Sequence, residues 1–580
     1  MRLSTATLKT ALIALVASAT IASGATPPNS KWAFARALGI AAEVHRAHFA
    51  LSERKFLDAD WIRSALAWVA REVDFEGLIL TDEERSVLVA PPSSLVLEVR
   101  AALLRTKNPD PDELVLHLTA WAKRVDAFVD FATRYLTTGT APDTADGPRW
   151  KATLDTWLRE REIAAGSERV ARRFLRFRRG QLARLRRWLG DPVEFWTHAL
   201  VDSIDPNTFV VEAEDSKRLE RVETVRSGLG ITMRPHERGL EVTAILSGSP
   251  FHRSSDLQRG DVITAIDGHA LDVEDFRTAT ERIPGPASSP IDLDVARGGQ
   301  IDQVHRVRAL RRMIDFTESR FTAEVRSYKG AEIGVIWFDG FFKGVADDVA
   351  RTLDAWAAGR KVGAVVLDLR GNHGGMLQEA TAMAQAFAQP GPMFAQCKTP
   401  ACIEPAVLVQ RRLRRWSGPV VVLVDSDSAS GSELVAGVLG TRADALIVGR
   451  CGTFGKGTML EVRPHQGLSV TVGQFVMVGG RGPQMIGLPL DLVLGALSGQ
   501  CPAAAPMSER PNALAGVEIT PFGAPARPME TFQWLLDANA RLEPTMRAGE
   551  NRLRESLEIA LEIAHVRTPI RTKGAGRHGH

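Results

Sequence analysis

The chain has 580 residues, enough for three or four domains at roughly 150 residues each. Apolar residues make up 44% and charged residues 24%, which excludes wholesale disorder. A formal charge of +3 argues against a dedicated nucleic-acid binder, and four cysteines without paired spacing predict neither a metal site nor a disulfide scaffold.

Residues 1–25 read as a secretory signal. Arg2 and Lys9 give a positive start, Ala11 to Ala22 an apolar stretch too short to span a bilayer comfortably, and Ser23-Gly24-Ala25 a small-residue cleavage site. The expectation is an exported, periplasmic protein with its signal removed; an uncleaved anchor is the competing reading. Removal of Arg2 and Lys9 leaves a formal charge of +1, without long-range pull on anionic partners. Export permits disulfides, Cys397 with Cys402 and Cys451 with Cys501, which is one of three connectivities open to four cysteines.

Residues 26–200 are predicted to form an N-terminal helical domain. Apolar residues recur there at three- and four-residue steps, as behind the Asp-rich start at Asp58. Asn108–Pro111 and Thr137–Gly147 are the breaks. Nine arginines crowd the stretch from Arg169 to Arg187. Val170, Phe174, Phe177, Leu182, Leu185 and Trp188 interleave with them at helical spacing, so an amphipathic helix with a solvated basic face is preferred to a nucleic-acid or lipid patch.

After residue 200 the texture changes to short β-type runs punctuated by glycine. Residues 201–225 are read as the start of a core interrupted by an inserted module over 226–311. From 312 to 500, apolar strands (Ile333–Phe338, Ala364–Leu369) alternate with helical stretches (346–358, 377–388), the signature of an α/β domain. Residues 501–580 read as a Pro/Ala-rich linker, helical 531–565 and a basic tail.

Within the α/β segment, Pro419 to Glu433 is a buried-type strand running into a serine-rich turn, followed by a helical stretch. Such a turn can expose a nucleophile beside backbone N–H groups, although Ser and Asp also suit a plain helix cap. Downstream, glycines flank Lys456 in Gly452–Gly457. A buried lysine loses pKa and can act as a neutral base, which arginine cannot. In a chain of 59 Arg and 13 Lys, a lysine at this position is informative.

The inserted module carries two signatures. Arg226-Ser-Gly-Leu-Gly-Ile231 resembles the carboxylate-binding loop of PDZ domains, and Leu257 to Gly268 resembles their second motif. The resemblance implies peptide binding by Gly228, Leu229, Gly230 and Ile231, with β-augmentation along the following strand and apolar C-termini preferred.

Residues 200–495 as a whole resemble the C-terminal processing (tail-specific) proteases, with the motifs in family order: Asp205-Pro-Asn-Thr208, Asp368-Leu-Arg-Gly-Asn-His-Gly-Gly375, Ser428-Ala-Ser-Gly-Ser-Glu433, Thr453-Phe-Gly-Lys-Gly457 and Gly487-Leu-Pro-Leu-Asp491. The resemblance implies a multidomain α+β protein, in which a crotonase-like α/β catalytic core with an inserted PDZ domain is flanked by helical segments. It implies a serine endopeptidase without metal or cofactor, with Ser430 as nucleophile and Lys456 as base. Gly431 and either Gly374 or Gly375 would supply the oxyanion N–H groups. Protein or peptide substrates with apolar C-termini are the implied partners, with no nucleic acid; an adaptor and peripheral membrane association are left open.

Three departures stand out. The spacing from Ser430 to Lys456 is one residue longer than usual, Gly431 replaces an alanine, and Leu460 occupies the position of a glutamine that orients the lysine. Glu461 is adjacent but should face the other side of its strand. Leu460 keeps an alternative alive: a catalytically weakened PDZ scaffold that binds peptides. A Ser-His-Asp arrangement using His373 or His465, and a CoA-dependent crotonase-type enzyme, are weaker rivals.

Overall fold

A computed structural model describes residues 30–522, apart from 52–53, 75–76, 105–110, 161–163, 212–225, 237–238, 246–248, 252–253, 272–275, 300–303, 315–319, 360–361, 404–405, 411–414, 444, 464–465 and 494–505. The signal expected over 1–25, the helices and tail expected beyond 522, His465 and Cys501 lie outside the described residues, as does the side chain of Phe177.

The first part of the chain is helical: α1 (Ser30–Ala47), α2 (Ala59–Val73), α3 (Asp82–Val89), α4 (Ser93–Leu104), α5 (Pro111–Thr138), α6 (Gly147–Arg159), α7 (Glu168–Gly190) and α8 (Pro192–Val201). Asp58 opens α2 by accepting from the Trp61 N–H at 2.9 Å, and Thr81 with Glu84 forms a capping box at α3. Trp68, Trp121, Phe128, Phe174 and Trp196 centre one aromatic-rich core. In α7, Phe174, Leu182, Leu185 and Trp188 are buried, as the period predicts. Arg186 and Arg187 reach Asp126 and Glu194 at 2.6 and 2.8 Å, and the Arg184 guanidinium lies 5.1 Å from the Trp188 ring. These three arginines are engaged by the chain's own acids and rings. No helix among the described residues is long and apolar enough to cross a membrane.

After β1 (Phe209–Val210) comes a β unit with its own core. Its stem pairs β2 (Arg226–Gly228) with β9 (Arg312–Ile314). Between them β3 (Ile231–His236), β4 (Gly239–Ile245), β5 (Val262–Ile266), β7 (Pro290–Ala296) and β8 (Val304–Leu310) form a sheet in the order β3-β4-β5-β7-β8. β6 (His269–Ala270) pairs with β5. The helix α9 (Phe276–Glu281) contributes Ala279 to this core.

The remainder contains two further sheets. One has the order β10-β11-β12-β15-β16-β19, comprising β10 (Phe321–Tyr328), β11 (Ala331–Phe338), β12 (Ala364–Asp368), β15 (Val420–Val424), β16 (Leu446–Gly449) and β19 (Leu492–Val493). From β11 to β19 all neighbours run parallel. β12 and β15 are buried at every position, as continuous apolar runs in a parallel sheet should be. The helices α10 (Val345–Gly359), α11 (Leu377–Phe387) and α12 (Gly431–Arg442) belong to this layer's core. The second sheet joins β1, β13 (Gly391–Cys397), β14 (Ala406–Gln410), β17 (Thr458–Arg463) and β18 (Leu468–Met477).

Parallel pairing of β12, β15 and β16 sends the loops 369–376, 425–430 and 450–457 out of the same end of the sheet, where open α/β sheets hold their ligands. Residues 506–522, read from sequence as part of a linker, instead lie against the core. Met507 N–H donates to Phe454 O at 2.9 Å and Ile519 N–H to Gly480 O at 2.8 Å, while Val517 N–H donates to Gln474 Oε1 at 3.0 Å.

Cys397 and Cys402 are disulfide-bonded, one of the two expected pairs; Cys451 is also disulfide-bonded. Both Cys397 and Cys402 are buried beside Phe49 and Val476. A loop this short still restricts the unfolded chain by about 2 kcal/mol. Replacing Cys397 and Cys402 together by alanine is therefore expected to lower the urea midpoint of the core by a corresponding amount, followed by circular dichroism.

Candidate functional site

Ser430 occupies the turn between β15 and α12 with φ +53°, a region that non-glycine residues seldom adopt. Such a conformation costs about 1–3 kcal/mol and persists only when neighbours enforce it. The enforcing contacts come from the loop after β12. Ser428 Oγ donates to Leu369 O at 2.8 Å, Ser432 Oγ donates to Asn372 O at 2.8 Å, and Ala429 N–H donates to the same carbonyl at 3.1 Å.

Buried Asn372 organises that loop. Its Nδ2 donates to Phe338 O at 3.0 Å, and its Oδ1 accepts from Gly374 N–H at 2.9 Å. Gly374 N–H is therefore already engaged. The adjoining bridge to Phe341 uses Gly374 O and Met376 N–H, so it leaves the Gly375 N–H uncommitted. Gly374 has φ +97°, and a Cβ there would stand 2.9 Å from both Gly431 N and Ser430 Cβ. The glycine lets two backbones meet at Ser430. A Cβ on Gly431 would come within 2.9 Å of the Phe341 ring. The alanine usual in the resembled family would require that ring to move, so Gly431 matches its neighbour Phe341.

The lysine loop joins through Glu433, whose side chain is fully buried. Its Oε2 accepts from Ser430 N–H at 2.9 Å and Lys456 N–H at 2.8 Å. Its Oε1 accepts from Thr453 Oγ1 at 2.5 Å and Gly455 N–H at 2.8 Å. Ser430 and Lys456 thus share one carboxylate oxygen through their backbones. Burial pushes the Glu433 carboxyl upward, opposed by the Thr453, Gly455, Lys456 and Ser430 donors. Three of the four partners are backbone N–H groups, which can only donate, so both carboxyl oxygens serve as acceptors. Thr453 Oγ1 in turn accepts from Leu488 N–H at 2.7 Å, and Gly457 N–H donates to Gln484 Oε1 at 2.8 Å.

Burial depresses the Lys456 ammonium below the usual lysine range, and the charges of Asp205 and Glu433 oppose that shift. Burial also acts upward on Asp205. Hydrogen bonds from His48, Thr208 and Asn207 oppose it, and the carboxyl is held below its ordinary value. Leu460 faces Thr471 across β17 and β18. Exposed Glu461 pairs with Arg463 at 2.9 Å and does not replace the missing glutamine.

In the β unit, Gly228 and Leu229 are buried, Gly230 has φ +60°, and Ile231 starts the edge strand β3. Leu229 and Ile231 pack with Phe251 and Ile283, and Leu229 O accepts from Ser249 Oγ at 2.7 Å. The strand therefore has an apolar floor and, among the described residues, a sheet neighbour on one side only. His373 is exposed. No group of three or more His, Cys, Asp or Glu among the described residues could hold a metal ion.

Sequence reasoning did not assign roles to Glu433, Asn372 or His48. Glu433 carried a capping signal, three residues after Ser430. Nothing local marks His48, which pairs with Asp205 157 residues away.

Residues 332–494 match the model of peptidase family S41, and residues 227–305 match that of a PDZ domain. The chain is 27% identical over 329 residues to the tail-specific protease of Haemophilus influenzae, covering 52% of this chain and 45% of that one. It is 26% identical over 318 residues to the carboxy-terminal-processing protease of Bartonella bacilliformis, covering 52% and 69% respectively. It thus spans about half to two thirds of the length of these relatives. A solved photosystem II D1 C-terminal processing protease is similar at 20% identity over 64% of this chain and 93% of that one, with a TM-score of 0.35, too low to bear on the arrangement of the domains. The chain therefore holds a segment that matches peptidase family S41 after one that matches a PDZ domain, and the relatives it resembles are named tail-specific or carboxy-terminal-processing proteases.

Proposed function

We propose that the chain is an exported serine endopeptidase that captures apolar C-terminal tails of proteins on its PDZ domain and hydrolyses them in a crotonase-like core. Ser430 is the nucleophile and Lys456 the general base. The observation that carries this reading is the Glu433 carboxylate, which accepts from the backbones of both residues and so couples the two loops.

Neutral Lys456 takes the proton from Ser430 Oγ as that oxygen attacks the scissile carbonyl. The same proton then passes to the leaving amine, and water hydrolyses the acyl-enzyme. Gly431 and Gly375 offer N–H groups to the oxyanion, each donor contributing about 3 kcal/mol to the transition state. Gly374 supports them by closing the backbone approach, since its own N–H is engaged by Asn372. Tail capture follows from the edge of β3 above Leu229 and Ile231, which has no second sheet neighbour among the described residues and where an extended peptide can add as a strand. Leu460 favours a second reading, a weakly catalytic scaffold of the same architecture.

Cleavage of an unfolded protein with an apolar tail separates the two. Wild type is expected to cleave it, while Ser430→Ala and Lys456→Arg bind the tail without cleaving. Wild type that binds but does not cleave selects the scaffold. The base must be uncharged, so the rate is expected to fall as pH drops through the depressed Lys456 pKa and to plateau above it. A pH–rate profile measures this directly. Glu433→Gln turns an NH₂ group toward N–H donors and frees the two loops from each other. A roughly 100-fold loss in kcat/KM is expected in single-turnover assays, with tail binding unchanged.

A further inference from the structure

The sequence leaves Lys456 without its usual orienting glutamine, and a second buried cluster stands on the strand opposite that position. Thr471 of β18 faces Leu460 of β17. Its Oγ1 donates to Asp205 Oδ1 at 3.1 Å, its N–H donates to Thr208 Oγ1 at 3.0 Å, and its carbonyl accepts from Phe49 N–H at 2.8 Å. Three distant segments meet there: the chain just after α1, the turn after α8, and β18.

Asp205 is only 2% exposed. Its Oδ1 also accepts from Asn207 N–H at 2.8 Å, and its Oδ2 lies 2.8 Å from His48 Nε2. The tautomer of His48 follows from its other nitrogen. Nδ1 accepts from the N–H groups of Ala50 and Leu51 at 3.0 and 3.2 Å, so it carries a lone pair. The ring proton therefore sits on Nε2 and is donated to Asp205. A neutral histidine against an anionic aspartate, both fully enclosed, is a costly arrangement that a core does not need for packing alone.

We infer that Asp205, held by His48 and Thr471, is a positioning residue for Lys456, supplying the fixed negative charge that stabilises its ammonium form in the place left by Leu460. This rests on the Ser430/Lys456 reading. When Ser430 Oγ gives its proton to Lys456 Nζ, a positive charge forms on Nζ, and Asp205 meets it without accepting a proton itself. Charged groups acting on Lys456 come from two elements, Asp205 from the turn after α8 and Glu433 from α12. Glu433 is occupied in joining the loops, its two oxygens filled by four donors. His48 makes α1 and its following turn part of the catalytic support.

The test reads Lys456 itself. The chain has 13 lysines, few enough to follow by NMR after ¹³C-methylation, with Lys456 assigned through Lys456→Arg. Titration is measured in a Ser430→Ala background. Removing the anion by Asp205→Asn is expected to move the Lys456 midpoint to lower pH. His48→Phe, which strands Asp205, is expected to do the same, whereas His48→Gln keeps a donor and restores the midpoint. With Ser430 intact, Asp205→Asn is expected to lower kcat roughly 100-fold, to leave KM within about twofold, and to shift the acid limb of the profile to lower pH. A lowered melting temperature with an unmoved Lys456 titration overturns the inference and leaves the cluster a structural one. An altered titration in a chain that never cleaves supports the Asp205–Lys456 coupling and overturns the hydrolytic reading alone.

Discussion

The carboxylate of Glu433 is the constraint on which the rest of the site depends. A carboxyl group taken wholly out of water would be unstable alone, and four hydrogen-bond partners converge on it in compensation. None of these donors comes from a mobile side chain: three are backbone N–H groups and the fourth is the short Thr453 hydroxyl. The backbone therefore has little freedom to drift while Glu433 stays charged. That rigidity allows Ser430 to remain at positive φ, and it sets the lysine loop at a fixed distance from the Ser430 turn.

The other side of Ser430 is fixed by an amide. Asn372 uses its side chain to hold Gly374 and Phe338, and its carbonyl to hold Ala429 and Ser432. Substitution at Gly374 would separate the two loops, and a methyl on Gly431 would meet Phe341. The parallel sheet supplies only a common end for these loops. Their register comes from a few buried polar groups, bonded mostly to backbone partners. Segments far apart in sequence then close the lysine side, with Phe49 after α1 and the 506–522 stretch both bonded to residues of β18.

Much of this architecture was legible in the sequence because periodicity and burial agree. The runs Ala364–Asp368 and Val420–Val424 had to be interior parallel strands, and α7 had to turn Phe174, Leu185 and Trp188 inward. Motif order singled out Ser430 and Lys456. The partners escaped for a physical reason. A capping box between Ser430 and Glu433 is locally complete, so nothing in it announces that Thr453, Gly455 and Lys456 bind the same carboxylate. His48 sits among ordinary helical residues, and its pairing with Asp205 exists only after the chain folds. Residues 506–522 are rich in proline and alanine, which reads as linker. Their attachment runs mostly through backbone groups, which carry no side-chain signature.

The two buried carboxylates also bear on the proposed role of Lys456 as a base. Burial alone would favour neutral Nζ so strongly that accepting a proton during attack would become unfavourable. Anions alone would keep the ammonium and leave no base. At Lys456 both act, burial being the larger and Asp205 and Glu433 opposing it. In the proposed Ser430/Lys456 reaction, burial provides the neutral base that takes the serine proton, and the two anions stabilise the ammonium until it returns that proton to the leaving amine. Arginine could not take that role, since its guanidinium stays protonated. The scarcity of lysine in this arginine-rich chain thus has a local meaning at position 456, where burial and two nearby carboxylates act on Nζ in opposite directions.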